Sequence, residues 1–362
     1  MKNLLTVLIA GILSASFSNA QTSAQYLSNS DNFCSSSGTF QGNWKLTGPI
    51  CLTTQNMGRI DPVWVDPDNE NHIYAGSLSG GLFEKTTSGD WICLTNKLPG
   101  VGVHDVDVYK NGGQTTIVIS TVTDDKRYSY GHGIYESTDG GTTWTFDEEY
   151  IEAAGTQLGI VNRTRFLHGT DGLISICNHK VLKKSSLSDP NSHWTVLPVT
   201  GMGADIDLFD LEMSPTNANI FWVAGNNGPS GTGIGLFYTS DGGTNFTDLT
   251  LTLTSPTFIN IAVPVNDDAF AYYFTGTTAW INHYHWNGST YQLQPNPTQP
   301  GQRGNWFAVS PLGNLDTMYF GTSATNAFYY SYSGGDTLRA RLILCMLMFG
   351  ISACIQPMGM YM

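Results

Sequence analysis

The chain has 362 residues, only 12% of them charged, with 12% aromatic residues, 40 glycines and a formal net charge of −13. That charge excludes a nucleic-acid binder working through a basic face, since phosphates need cationic partners, and it disfavours anionic membrane surfaces. Sparse charge with abundant Gly, Ser, Thr and Asn suits many short strands joined by tight turns, and no long stretch of helical period is present.

The chain opens as a secretory signal peptide would. Lys2 supplies the positive start, Leu4 to Ile12 is an apolar run too short for a bilayer, and Ser18-Asn19-Ala20 precedes a cleavage point before Gln21. Residues 1–20 are set aside on this ground, and the mature protein is expected to be secreted or at the cell surface, in an oxidising compartment. Residues 21–43, rich in Ser, Asn, Gln and Gly, read as a flexible arm. Cys34 and Cys51 flank one short segment and are either a disulfide or two free thiols. The 6 cysteines include no CxxC pair, which argues against zinc. Cys93 and Cys177 lie in apolar strand patterns and read as small buried hydrophobes.

From Trp44 onward the chain repeats. An aromatic residue opens a late strand at Trp44, Trp91, Trp144, Trp194, Phe246 and Tyr291, at steps of 45 to 53 residues. A second marker, the entry to an earlier strand, keeps the same period: Pro67 to Gly76, Pro215 to Gly225 and Pro311 to Gly321. Thr115–Ser120, Gly172–Ile176 and Ala269–Phe274 fill the units between. Six repeats of four short strands imply an all-β fold, a β-propeller of four-stranded blades over residues 44–336. The Trp44 strand precedes the first full repeat and the sixth ends early, near Asp336. The ring is therefore either truncated or closed by the N-terminal strand, and we expect the Trp44 strand to complete the sixth blade. Residues 337–362 change character: no acidic residue, five methionines, and a nearly apolar run from Leu342 to Ile355. They read as a frameshifted or truncated end, with a short hydrophobic anchor as the other reading.

Two octapeptides punctuate the repeat at one phase: Ser137-Thr138-Asp139-Gly140-Gly141-Thr142-Thr143-Trp144 and Thr239-Ser240-Asp241-Gly242-Gly243-Thr244-Asn245-Phe246. Paired glycines accept the positive φ of a tight turn, the Asp and Ser/Thr side chains accept backbone N–H bonds, and the aromatic anchors the next strand. This octapeptide resembles the Asp-box, or BNR repeat, of sialidases, xyloglucanase-type glycosidases, sortilin-like Vps10 domains and secreted bacterial propellers. The resemblance implies the fold, and it implies a structural role for Ser137, Asp139, Gly141, Trp144, Asp241, Gly243 and Phe246 on the blade periphery.

It also defines what catalysis would need. Gly58-Arg59-Ile60-Asp61-Pro62 resembles the first arginine motif of sialidases, making Arg59 and Asp61 the catalytic candidates. The other arginines before the tail, Arg127, Arg163, Arg165 and Arg303, have no recognisable flanking motif. Xyloglucanase-type enzymes carry a catalytic Asp before the Gly-Gly of the first blade, and Ala75-Gly76-Ser77-Leu78-Ser79-Gly80-Gly81 has no carboxylate there. Asp147-Glu148-Glu149 reads as a solvated loop.

Binding candidates are His104, Asp105 and Asp107 at the start of the second repeat and Asp205, Asp207 and Asp210 at the start of the fourth. An innermost strand would aim these at the central channel, either toward a sugar or Ca²⁺ or, as the favoured reading, as hydrogen-bonded polar groups around trapped water. Trp280 and Trp286, in Trp280-Ile281-Asn282-His283-Tyr284-His285-Trp286, are candidates for stacking on sugar rings; strand alternation explains them equally well. The expectation is a non-catalytic propeller for an extracellular glycan or protein ligand, without resident cofactor or metal. The alternative is a sialidase-like or xyloglucanase-like glycoside hydrolase.

Overall fold

The computed structural model describes residues 44–46, most of 60–309, and the strands at 317–321, 327–332, 339–342 and 355–357. Within 60–309 it leaves out 79, 87–90, 99–101, 123–130, 156–160, 200–201, 203–205, 227–233, 250–255, 265–266, 276–277 and 296–305. The signal peptide, the 21–43 arm, Cys34, Cys51, Arg59 and Asp205 therefore lie outside the described residues.

In chain order the strands are β1 (Trp44–Leu46); β2 (Ile60–Asp66), β3 (Asn69–Ser77), β4 (Gly81–Lys85) and β5 (Trp91–Cys93); then β6 (Gly102–Asn111), β7 (Gln114–Val122), β8 (Gly131–Ser137) and β9 (Thr145–Phe146). One helical segment, α1 (Glu148–Ala154), precedes β10 (Val161–Phe166), β11 (Leu173–Cys177), β12 (Lys180–Lys184) and β13 (Thr195–Val196). There follow β14 (Asp207–Met213), β15 (Phe221–Asn226), β16 (Ile234–Thr239) and β17 (Thr247–Asp248), then β18 (Pro256–Ala262), β19 (Ala269–Thr275), β20 (Thr278–Trp286) and β21 (Tyr291–Leu293). The last are β22 (Trp306–Val309), β23 (Thr317–Gly321), β24 (Ala327–Tyr332), β25 (Arg339–Leu342) and β26 (Ile355–Pro357).

From β2 to β25 these form six four-stranded antiparallel meanders, each made of four consecutive strands. The first strands β2, β6, β10, β14, β18 and β22 lie beside one another in succession, the arrangement of propeller blades round an axis. The early-strand markers fall on second strands. The aromatic anchors from Trp91 to Tyr291 open, or immediately precede, the fourth.

Among the described residues the apolar core is not one body but a layer between each pair of neighbouring blades from the first to the fifth. Tyr74 and Leu82 pack with Val106, Val108, Ile117 and Ile119 between the first and second. Trp222, Tyr238, Ile259 and Tyr291 pack between the fourth and fifth. A second strand is covered on both faces, so Leu173–Cys177 is buried at all five positions and its sequence runs apolar without alternating. Val63 and Val65 of β2, at the register positions of Val106 and Val108, are 57% and 47% exposed, against 5% and 8% in β6. The first blade lacks the cover that it gives the second.

Two expectations are corrected. The Trp44 strand does not complete the sixth blade: β25 pairs with β24, Ala327 opposite Leu342 and Tyr330 opposite Arg339, so strand pairing continues past residue 336. The strand nearest in sequence closes the shorter loop, at lower entropic cost. In a separate unit formed by the two termini, β1 pairs with β26, Trp44 opposite Pro357. Asp147-Glu148-Glu149 is no loop but the cap and first turn of α1. The Asp147 side chain accepts the Tyr150 N–H, and Gly155 ends the helix at φ 98°.

The paired-glycine turns have the expected hydrogen bonds. Ser137 Oγ accepts Gly141 N–H at 2.8 Å and donates to Asp139, whose carboxylate accepts Thr143 N–H at 2.9 Å. Thr239, Asp241, Gly243 and Asn245 repeat this. These bonds hold both aspartates at a pKa of about 2. At Asp139 the Thr143 hydroxyl is the largest influence, whereas at Asp241 the largest, burial, acts upward and is outweighed by bonds from Asn245. The turns also reach the preceding blade: Trp144 Nε1 donates to the Leu94 carbonyl at 3.2 Å. Cys93 and Cys177 are buried, and neither is in a disulfide.

Candidate functional site

A one-residue register shift occurs near the start of β6, β10 and β14, immediately before Asp105, Arg163 and Asp210. Such a bulge re-aims the residues that follow it. The three first strands then carry charged pairs at equivalent positions: Asp105 and Asp107 on β6, Arg163 and Arg165 on β10, Asp210 and Glu212 on β14. The result is an ionic lattice across the second, third and fourth blades.

Arg163 Nη1 meets Asp105 at 3.2 Å and its Nε meets Asp210 at 3.3 Å. Arg165 Nη1 meets Asp105 at 2.7 Å, and its Nη2 meets Glu212 at 3.3 Å. The same acids hold backbone: Asp105 accepts Thr164 N–H at 2.8 Å, Asp107 accepts Phe166 N–H at 2.7 Å, and Asp210 accepts Ile261 N–H at 2.7 Å. Each therefore ties one first strand to the next. Burial pushes Asp107 up to about 6 despite Arg165, and Glu212 up to about 7. Burial acts to lower both guanidinium pKa values, but Asp105, with Asp210 beside Arg163 and Glu212 beside Arg165, raises them. The Arg163, Arg165 and Glu212 side chains stay 28%, 18% and 30% exposed, so solvent reaches the lattice.

Asp105 is thus where the sequence placed it, on a first strand, but its carboxylate holds Arg163, Arg165 and Thr164 rather than an open ligand position. His104 is half-buried on β6. Asp207 begins β14, exposed beside His179 at 3.3 Å and apart from the ion pairs of the lattice. Asp61 lies on β2. Trp280 and Trp286 pack, partly buried, against the layer between the fourth and fifth blades; between them His283 and His285 bond the buried Asp268 at 2.7 and 2.9 Å. Arg163, Arg165 and Glu212 were missed. The available signal was period and parity: two charges two residues apart, at one repeat phase, with the sign alternating from blade to blade.

A second cluster, partly buried, lies where α1 meets the third blade. Asp147 accepts Trp194 Nε1 at 2.6 Å and faces Lys184, while Glu149 accepts His193 at 2.8 Å and Trp194 N–H at 3.0 Å. Glu136 of β8 points there with one buried carboxyl oxygen that no donor reaches. Burial and the neighbouring Asp147 push its pKa up to about 8. Among the described residues no group of three or more His, Cys, Asp and Glu is arranged to hold a metal ion, and no helix is long and apolar enough to cross a membrane.

No protein-family model matches the sequence, and no curated protein matches it. Solved structures do. The GH74 xyloglucanase from Xanthomonas campestris superposes with a TM-score of 0.56 at 13% identity, over 83% of this chain and 46% of its own. An ancestral GH74 enzyme gives 0.54 at 15% identity, over 83% and 40%. YCF48 from Cyanidioschyzon merolae gives 0.54 at 12%, over 83% and 88%. The chain spans less than half the length of either GH74 enzyme. At these identities the likeness shows the propeller fold alone.

Proposed function

We propose that this chain is a non-catalytic binding propeller, exported from the cell, whose ligand is an extracellular glycan or protein. The observation that supports it is the use made of the first-strand carboxylates. Asp105 and Asp210 each accept a backbone N–H of the neighbouring first strand while paired with arginine, so they serve to join blades. Paired glycines, anchoring aromatics and the likeness to Asp-box propellers fit a scaffold whose exposed loops do the recognising.

One observation favours a glycoside hydrolase as the second reading. Asp107 and Glu212 are carboxyls with raised pKa on the first strands, the property a general acid needs, and two of the structural neighbours are GH74 enzymes. A glycan array run beside a hydrolysis screen on sialosides and β-glucans separates the two. Binding without turnover supports the module. Turnover abolished by Glu212→Gln, Arg59→Ala or Asp61→Asn would establish the hydrolase. N-terminal sequencing of exported protein, beginning at Gln21, tests the export reading.

A further inference from the structure

The third blade is the cationic member of the stack. Arg163, Arg165, Lys180, Lys183 and Lys184 all lie on its strands, five of the 16 lysines and arginines in the chain. Both of its joints nevertheless hold more acid than base. At the first-strand joint, Asp105 and Asp107 from β6 and Asp210 and Glu212 from β14 face only Arg163 and Arg165; β18 adds the uncharged Asn260. At the peripheral joint, Glu136 from β8 with Asp147 and Glu149 of the α1 cap and first turn face Lys184 and, on Glu149, His193. There Asp147 is already bonded to Tyr150 N–H, Trp194 Nε1 and Lys184, and one Glu136 oxygen is buried with no donor.

We infer that the third blade is a proton-locked joint: carboxyl groups at its two flanks take up protons on folding, so the propeller tightens as the medium acidifies and loosens about this blade as it turns alkaline. A protonated Glu136 can donate to Asp147 instead of repelling it. With both Glu212 and Asp107 protonated, Arg163 and Arg165 match Asp105 and Asp210 charge for charge. The raised pKa values of Asp107, Glu212 and Glu136, about 6, 7 and 8, mark the window. A carboxyl whose folded pKa lies above its unfolded value leaves the folded state holding more protons. Its stabilising effect is complete below the unfolded value and is lost as pH rises through the folded one. Asp66, Asp139 and Asp241 carry the opposite shift, to about 2, and titrate below this window.

The test is denaturant unfolding of the full chain from pH 5.5 to 8.5, on wild type, Glu136→Gln, Glu212→Gln and the double variant. We expect the wild-type unfolding constant to rise roughly tenfold per pH unit for each proton held, hence about tenfold or more per unit between pH 6 and 7.5. Each Gln substitution should flatten that slope, the double most. A constant that is level or falls across the window, or variants that keep the wild-type slope, would overturn the inference. Should a variant not fold, the wild type decides alone: calorimetry in two buffers of different ionisation heat counts protons released on unfolding at pH 7. We expect one or more; none, or net uptake, refutes the joint.

Discussion

The paired-glycine turns allow a matched test of what joins one blade to the next. Gly140 and Gly141 are adjacent, both left-handed, at φ 70° and 90°. A Cβ at Gly140 meets nothing within 4 Å, whereas one at Gly141 falls 2.6 Å from Leu94 Cδ1 and 3.3 Å from Leu94 Cβ, on the preceding blade. Alanine at either site carries the left-handed penalty of about 1–2 kcal/mol. Only at position 141 does it also overpack the joint, at a further cost of ~1–3 kcal/mol. Gly140→Ala should therefore lower stability by about 1–2 kcal/mol, and Gly141→Ala by about 2–5 kcal/mol. Urea unfolding followed by tryptophan fluorescence reads both as midpoints at unchanged slope. Adding Leu94→Ala to Gly141→Ala should recover part of the excess, in a double-mutant cycle. Two alanine variants of equal stability, or a cycle with no coupling, would refute the claim that this turn clasps the neighbouring blade. Gly243, whose added Cβ would fall 2.3 Å from Leu197 Cδ1, is predicted to behave as Gly141 does.

Ser137→Ala removes the acceptor for Gly141 N–H inside a buried turn and should lower stability by about 1–2 kcal/mol, read by the same unfolding experiment. Asp139 and Asp241 have folded pKa values of about 2, below the usual 3.8. Their contribution is present above the ordinary value and is lost as pH falls toward 2, so an Asp139→Asn, Asp241→Asn variant should show a shallower acid-unfolding profile than wild type. Asp105→Asn leaves Arg163 and Arg165 facing each other with one acceptor removed, and should destabilise by roughly 3–5 kcal/mol; a loss typical of surface substitutions would show that the lattice is not structural.

Much of the architecture was legible because a blade is a local object. Four consecutive strands, a glycine-paired turn and an aromatic at the start of the outer strand are all set within some 50 residues. Both strand markers, Trp44 excepted, landed on the strand they implied. The helix α1 carried its own signal, Asp147-Glu148-Glu149 before Tyr150 and Gly155 at the end, and was passed over because a single cap outside the repeat reads as an acidic loop. The candidate site was harder. Asp105 and Asp210 could be placed on first strands, but whether a first-strand carboxylate is open or spent depends on a residue some 50 positions away.

Period, turns and strands are local properties of the chain, because each follows from the conformational preference of a few neighbouring residues. What the charges do is set by packing. Arg163 and Arg165 have no motif around them, and their meaning lies in Asp105 and Asp210 on flanking blades, brought within ion-pair distance by the packing of one sheet on the next. The same holds for the Ser137–Trp144 turn: its internal hydrogen bonds are written locally, but its grip on Leu94 exists only once two blades meet.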